Sequence, residues 1–246
     1  MNEKYKYILK TLEKSYTADT VFRENEKSRI VSYTSNSNGS NKFVLIVTRT
    51  NSEAVLKKLV GEKHAYLPEI FDYCINDGET VILEQFIPGC RLSDMLDEKN
   101  LPNKTAVNYC LNICDALEFL HSKKIVHRDI KPSNVIINPS NEAVLIDLQT
   151  ARNISEERNT DTENLGTVGY AAPEQFGIVQ SMPTTDIYAL GVMLNEMLTG
   201  QHPSVRTPDG KLGKIIEKCT HTQMSKRYQS VGGLKKDLLK YKKLHR

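Results

Sequence analysis

His127-Arg128-Asp129-Ile130-Lys131-Pro132-Ser133-Asn134 sets a carboxylate, an ammonium and a carboxamide at fixed offsets within eight residues. The apolar run Ala143-Val144-Leu145-Ile146 then reads as a buried strand that delivers a second carboxylate, Asp147, thirteen residues after Asn134. Asp129 is suited to accept or orient a proton and Lys131 to neutralise anionic charge, while Asn134 and Asp147 offer hard oxygen ligands to a divalent cation. Moving a phosphoryl group needs little covalent help from a protein and much positioning and charge neutralisation, and these residue types meet that need.

Further motifs follow in order: Asp147-Leu148-Gln149, Gly166-Thr167-Val168-Gly169-Tyr170-Ala171-Ala172-Pro173-Glu174, Asp186-Ile187-Tyr188-Ala189-Leu190-Gly191 and Arg227-Tyr228. Together they resemble the motif set of eukaryotic-type protein kinases, in particular the bacterial serine/threonine kinases. The resemblance is dense from Glu84 onward and thin before it. It implies an α+β, bilobal protein-kinase-like fold with a small antiparallel β N-lobe carrying one helix and a larger, mainly α-helical C-lobe. The whole chain, 1–246, would be one such domain, with the N-lobe at 1–83, a hinge at 84–90 and the C-lobe at 91–246.

The same resemblance implies ATP and Mg²⁺ as cofactors and transfer of the γ-phosphate to a Ser or Thr hydroxyl of a protein substrate. Lysine at the position of Lys131 is typical of Ser/Thr rather than Tyr kinases. In those terms Asp129 receives or orients the acceptor hydroxyl, Lys131 meets the γ-phosphate, and Asn134 and Asp147 hold the metal. Thr167 shapes the acceptor site, with Tyr170, Ala171 and Ala172 as its floor. Glu174 and Arg227 are implied to form a buried ion pair, and Asp186 to fix the catalytic-loop backbone. Arg128 would pair with a phosphate on the segment Leu148 to Gly166, where Ser155, Thr160 and Thr162 are the acceptors.

The amino-terminal third departs from the pattern. A loop covering nucleotide phosphates should be rich in glycine, yet the candidate stretch Leu12 to Val21 has none; Ser15 and Ala18 are small, and Val21 follows them. The strand Phe43 to Arg49 puts Ile46 or Val47 in the place of the usual lysine, so Arg49, or Lys42, is the expected substitute and Glu53 its helix partner. Adenine is expected at Glu84-Gln85-Phe86 behind Leu83 as gatekeeper. Gln149 replaces a glycine; were φ positive there, a side chain would cost about 1–2 kcal/mol. These departures support a second reading, a pseudokinase that binds nucleotide or scaffolds a partner. A small-molecule phosphotransferase would share the Asp/Asn/Asp logic without needing Ala172-Pro173-Glu174 or Arg227.

A chain of 246 residues has room for a substantial core. Met1 to Lys10 lacks the apolar centre of a signal peptide and Phe43 to Val47 is too short to span a bilayer, so a cytoplasmic protein without a membrane span is expected. Five cysteines without a CxxC pair argue against a disulfide framework, and Cys110 and Cys114 read as packed side chains on one helix face. Residues 211–246 carry a net charge of +9 against −6 in the remainder. Nucleic acid, acidic lipid or an acidic partner would suit such a segment, but Leu234, Leu238, Leu239 and Tyr241 interleave with the lysines at helical spacing. A solvated helix face is the preferred reading, with no nucleic-acid partner.

From Asn2 to Leu83 the sequence reads as strands and turns, with strands at 20–22, 29–33, 43–47 and 80–83 and a single helix at 51–60. Beyond Pro88-Gly89 the period is helical. Asn103 is expected to cap a helix striped by Val107, Leu111, Cys114, Leu117 and Leu120; others are expected from Thr184 or Thr185 to Gly200, at 212–220 and at 231–244.

Overall fold

The computed structural model describes residues 3–37, 39, 41–50, 52–154, 167–176 and 180–245. The chain divides into two compact units, Met1–Ile87 and Pro88–Arg246, and the boundary falls inside the segment 84–90.

The first unit is built on an antiparallel sheet of β1 (Tyr16–Glu24), β2 (Ser28–Ser35), β3 (Lys42–Thr48), β4 (Ile70–Asn76) and β5 (Glu79–Gln85), in the order β1-β2-β3-β5-β4. Register assigns the faces, because directly paired residues point to the same side. Ser32, Val44 and Glu84 share one face with Ile46 and Ile82; Val31, Leu45 and Leu83 share the other with Tyr33 and Phe43.

The second face is covered by a helix that the strand-and-turn reading of residues 2–83 does not contain: α1 (Glu3–Ser15). Tyr5, Ile8 and Leu12 recur at i, i+3 and i+7, which is a helical stripe. Ile8 and Leu12 are buried against Leu45, Cys74 and Val81, ringed by Tyr16, Tyr33, Phe43, Val47 and Leu83. Burying two such side chains stabilises by about 1.5–3 kcal/mol each, enough to hold a short helix that propensity alone would not. Lys4 Nζ lies 2.6 Å from Asp72 Oδ1 and ties the helix to β4. The expected helix at 51–60 is observed as α2 (Glu53–Leu59), with Val55, Leu56 and Leu59 buried.

The second unit carries β6 (Cys90–Arg91), α3 (Leu92–Glu98), α4 (Asn103–Ser122), β7 (Ile125–Val126), β8 (Val135–Ile137), β9 (Ala143–Leu145), β10 (Arg152–Asn153), α5 (Pro183–Thr199), α6 (Gly210–Cys219) and α7 (Val231–Leu244). Its core is helical: Ile113, Leu117 and Leu120 of α4, Ile187, Leu190 and Leu194 of α5, and Leu234 and Leu238 of α7 are all buried. The expected helices are present, with their ends shifted: α5 begins at Pro183 after Met182 as N-cap, ahead of Thr184, and α6 begins at Gly210, ahead of Leu212. Pro102, not Asn103, is the N-cap of α4, and Asn103 Nδ2 instead donates to Tyr241 Oη at 3.2 Å. Gly200 ends α5 at φ 68°, a left-handed cap that glycine takes without strain.

All five cysteines are free. Burial pushes the Cys110, Cys114 and Cys219 thiols well up, so they are packed side chains rather than nucleophiles. Among the described residues no helix is long and apolar enough to cross a membrane.

Candidate active site

Two short antiparallel pairs position the catalytic loop. The β8–β9 hairpin joins Val135 to Leu145, and the Ile146 N–H donates to Asn134 O at 2.9 Å, so Asp147 leaves its strand beside Asn134. The β7–β10 pair joins Val126 to Arg152 and brackets the loop from the other side.

His127 stitches these pieces together from full burial. Its Nε2–H donates to Ile146 O at 3.2 Å, and its Nδ1 accepts from the Asp129 N–H at 3.4 Å. Asp186, at the start of α5, accepts from the His127 N–H at Oδ2 and from the Arg128 N–H at Oδ1, both at 2.9 Å, with His121 Nε2 a further 2.8 Å partner of Oδ2. This is the bracing role expected of Asp186. Burial by itself would raise the Asp186 carboxyl; the His121 contacts and the backbone donors outweigh it and hold the group below the usual range.

The braced loop contains strain. Arg128 has φ 70° and Asp147 has φ 68°, left-handed conformations that side chains seldom adopt, though Asp tolerates them better than most. Gln149 is not among the positive-φ residues, so the strain expected there falls two residues earlier. Gln149 is instead buried, with Nε2 lacking a partner among the described residues.

Three of the expected catalytic residues converge on the carboxylate of a fourth, Asp129. Asp129 Oδ1 accepts from Thr167 Oγ1 at 2.7 Å, and Oδ2 lies 2.8 Å from Lys131 Nζ and accepts from Asn134 Nδ2 at 2.8 Å. Lys131 Nζ also donates to Thr167 Oγ1 at 2.7 Å, closing the ring. Asn134 Nδ2 further donates to Asp129 O at 2.8 Å, which fixes the amide with its oxygen turned away from Asp129. Burial raises the Asp129 carboxyl, but Lys131 and Thr167 more than reverse this and hold it below the ordinary aspartate value. It is therefore ionised at neutral pH and serves as an acceptor for the donors around it.

The residues present fit a hard divalent cation. Among the described residues no three His, Cys, Asp or Glu side chains form a metal cluster. One carboxylate from Asp147 and the amide oxygen of Asn134 suit Mg²⁺, which takes its remaining ligands from phosphates and water.

Glu174 and Arg227 form the ion pair implied by the sequence. Arg227 Nη1 and Nη2 donate to the two Glu174 carboxylate oxygens at 2.7 and 2.8 Å, and both residues are buried. Arg227 also donates to His221 O at 2.7 Å and Thr184 O at 3.1 Å and lies over the Tyr188 ring. Gln175 next to the pair was not singled out by sequence reasoning. Its Nε2 donates to Arg128 O and its Oε1 accepts from the Ala172 N–H, each at 2.9 Å, so it ties the backbone at Ala172 to the backbone at Arg128. No spacing rule flags a glutamine of this kind. Ser155, Thr160 and Thr162 lie outside the described residues.

The expected nucleotide residues of the first unit are redistributed. Ser15 ends α1, and Ala18 and Val21 sit within β1 opposite Tyr33 and Val31, so the stretch 12–21 is not a turn between strands. The β1–β2 connection is Asn25-Glu26-Lys27, where Asn25 Oδ1 accepts from the Lys27 and Ser28 N–H groups at 2.9 Å. Such an Asx turn closes a tight connection without glycine.

Ile46, 3% exposed, shares a face with Val44 and Ile82. Arg49 lies beyond the end of β3, its side chain 70% exposed and 3.7 Å from Glu79, so it does not join Ile46 as a substitute cation. Glu53 opens α2 and pairs with Lys57 at 2.8 Å. Leu83 packs against the α1 cluster, and the side chain that accompanies Ile46 and Val44 at the end of β5 is Glu84, 6% exposed. Phe86 lies under Lys42 Nζ at 5.6 Å from the ring centre.

The family model described as "Protein kinase domain" matches residues 17–242. Serine/threonine-protein kinase C of Synechocystis sp. is 31% identical over 185 residues, covering 72% of this chain and 34% of the relative. Serine/threonine-protein kinase D of the same organism is 29% identical over 218 residues, covering 79% and 42%. A proline-rich receptor-like protein kinase of Arabidopsis thaliana is 34% identical over 148 residues, covering 57% and 23%. The chain thus spans less than half the length of these relatives. With the braced loop, the Asp129 ring and the Glu174–Arg227 pair in place, the match over 17–242 means that the chain belongs to the protein kinase family.

Proposed function

We propose that the chain is a serine/threonine protein kinase that transfers the γ-phosphoryl group of ATP to a protein hydroxyl with Mg²⁺, in the cytoplasm. The observation that carries the reading is the ring of Asp129, Lys131, Thr167 and Asn134. In this mechanism an incoming Ser or Thr hydroxyl replaces part of the Thr167 contact and donates to Asp129. Lys131 then follows charge onto the transferring oxygens. Asn134 and Asp147 would hold Mg²⁺, which supplies neutralisation of the phosphate charge. Because the Asp129 carboxyl is held low, it aligns the hydroxyl and takes its proton late in the transfer.

A second reading, a pseudokinase, is favoured by one observation: the buried Ile46 on β3 where the family resemblance puts a lysine. Losing that cation lowers the rate by about two to four decades if nothing replaces it. Transfer of radiolabelled phosphate from Mg·ATP to the chain itself and to a mixed Ser/Thr substrate such as casein separates the two. Incorporation by the parent protein supports the kinase, whereas nucleotide binding without incorporation supports the pseudokinase.

A further inference from the structure

Helix α7 buries one stripe and leaves the other bare. Val231, Leu234, Leu238 and Tyr241 are buried, whereas Lys236, Leu239, Lys240 and Lys243, spaced i, i+3, i+4 and i+7, form the opposite, exposed face. Leu239 is 47% exposed on that face, and Leu244, one turn beyond Lys240, is 61% exposed. Ammonium groups and large apolar side chains thus stand together on the outer side of one helix.

The fold does not neutralise this charge. Asp237, the carboxylate of α7, accepts from the Tyr228 hydroxyl at 2.8 Å. Asp115 and Glu118, the acidic side chains that reach α7 from α4, both go to Lys235. Lys236, Lys240 and Lys243 have no ion-pair partner among the described residues, in contrast to Lys4, Lys6, Lys57 and Lys63 of the first unit. The same sign continues past the end of the helix, where Lys242 and Lys104 of α4 line a common cavity. Lysines alone would suit water; leucines among them suit a boundary between polar and apolar phases. Nucleic acid would take the lysines but set the leucines against phosphates. An acidic peptide would need a groove, and the outer side of a single helix is convex. A phospholipid surface needs no groove: its phosphates meet the ammonium groups while the lysine stems and leucines lie in the headgroup layer.

We propose that the outer face of α7 docks the chain peripherally on an anionic phospholipid bilayer, with Lys236, Lys240 and Lys243 on lipid phosphates and Leu239 and Leu244 in the headgroup layer. Each lysine near such a surface contributes about fivefold, so the three give about a hundredfold preference for anionic over neutral lipid. The attachment is weak and reversible, half-maximal at about 1 mM accessible lipid. Nothing in this depends on phosphoryl transfer.

The test sediments the full chain with sucrose-loaded vesicles, of phosphatidylcholine alone or with about one third phosphatidylglycerol. Expected is pelleting with the mixed vesicles, about a hundredfold less with phosphatidylcholine, and release in about 0.5 M NaCl. The triple variant Lys236→Gln, Lys240→Gln, Lys243→Gln should fall to the phosphatidylcholine level. A control, Lys10→Gln, Lys27→Gln, Lys63→Gln, removes the same charge from exposed lysines of the first unit and should keep most of the binding. Leu239→Ser should bind about threefold more weakly or worse, with its salt dependence unchanged. Unfolding midpoints of all variants should match the parent, because every altered side chain is exposed. The proposal is overturned by no pelleting above the phosphatidylcholine level, by undiminished binding of the α7 triple variant, or by an equal loss in the control, which would assign the effect to net charge. Retention on immobilised polyglutamate or duplex DNA without vesicle binding would overturn it too, and assign the face to an acidic macromolecule.

Discussion

Removing Arg227 tests the buried ion pair with Glu174. In Arg227→Ala the Glu174 carboxylate stays buried and, among the described residues, keeps the Thr185 hydroxyl at 3.0 Å, having lost both Arg227 donors. The carbonyls of His221 and Thr184 lose their donor as well. Breaking a buried pair by deleting one partner costs about 3–5 kcal/mol, because an uncompensated charge remains. In a unit of this size that corresponds to a fall in Tm of about 6–20 °C. Thermal and urea unfolding of parent and variant measure it. Two further variants sharpen the reasoning. Arg227→Lys retains charge without the planar fork and should fall between parent and alanine. Replacing both partners, Glu174→Leu with Arg227→Met, should recover part of the loss, since no charge is then stranded. A loss below about 1 kcal/mol, the size seen for exposed pairs, would refute the argument.

Other outcomes follow from the same structure. Asp186 has a lowered folded-state value, so its contribution is complete above the ordinary value of 3.8 and is lost as pH falls through the lowered value. The stability gap between parent and Asp186→Asn should therefore be constant near neutrality and narrow in acid; a gap that widens in acid contradicts the assigned partners. Gly191 on α5 faces Cys219, and an added Cβ would lie 2.3 Å from the Cys219 Cβ. Gly191→Ala should accordingly destabilise by about 1–3 kcal/mol in urea unfolding, and a neutral result would refute the close packing of α5 on α6. Leu12→Ala should cost about 2–5 kcal/mol and deprotect α1 in hydrogen exchange. Unchanged exchange in α1 would show that Leu12 does not anchor it.

The second unit was largely legible because its chemistry is local in sequence. Asp129, Lys131 and Asn134 share one loop, Thr167 and Asp186 fall at motif spacings, and the stripes on α4, α5 and α7 follow the helical period. The first unit was harder for two physical reasons. The glycine-free stretch 12–21 overlaps the end of α1, whose stripe of Tyr5, Ile8 and Leu12 is short and set among charged residues. The turn that does join β1 to β2 is closed by an Asn25 side chain, which no glycine pattern reveals. The face of β5 was a matter of parity. In a strand a one-residue shift exchanges the two sides, so choosing Leu83 as the apolar gatekeeper placed the wrong face inward, while the structure buries Glu84 there. Gln175 acts through backbone contacts that depend on the assembled fold, and sequence carries no mark of it.

Under the proposed function Asp129 is an ionised acceptor for a substrate hydroxyl rather than a packing residue. Asp129→Asn is nearly isosteric and keeps an oxygen for Thr167. The direct measurement is single-turnover phosphate transfer from Mg·ATP by parent and Asp129→Asn, run beside unfolding curves of both. Expected are transfer by the parent, a fall of about a hundredfold or more in the variant, as loss of a positioned acid–base group gives, and similar unfolding midpoints. Equal transfer rates with both proteins folded would contradict it.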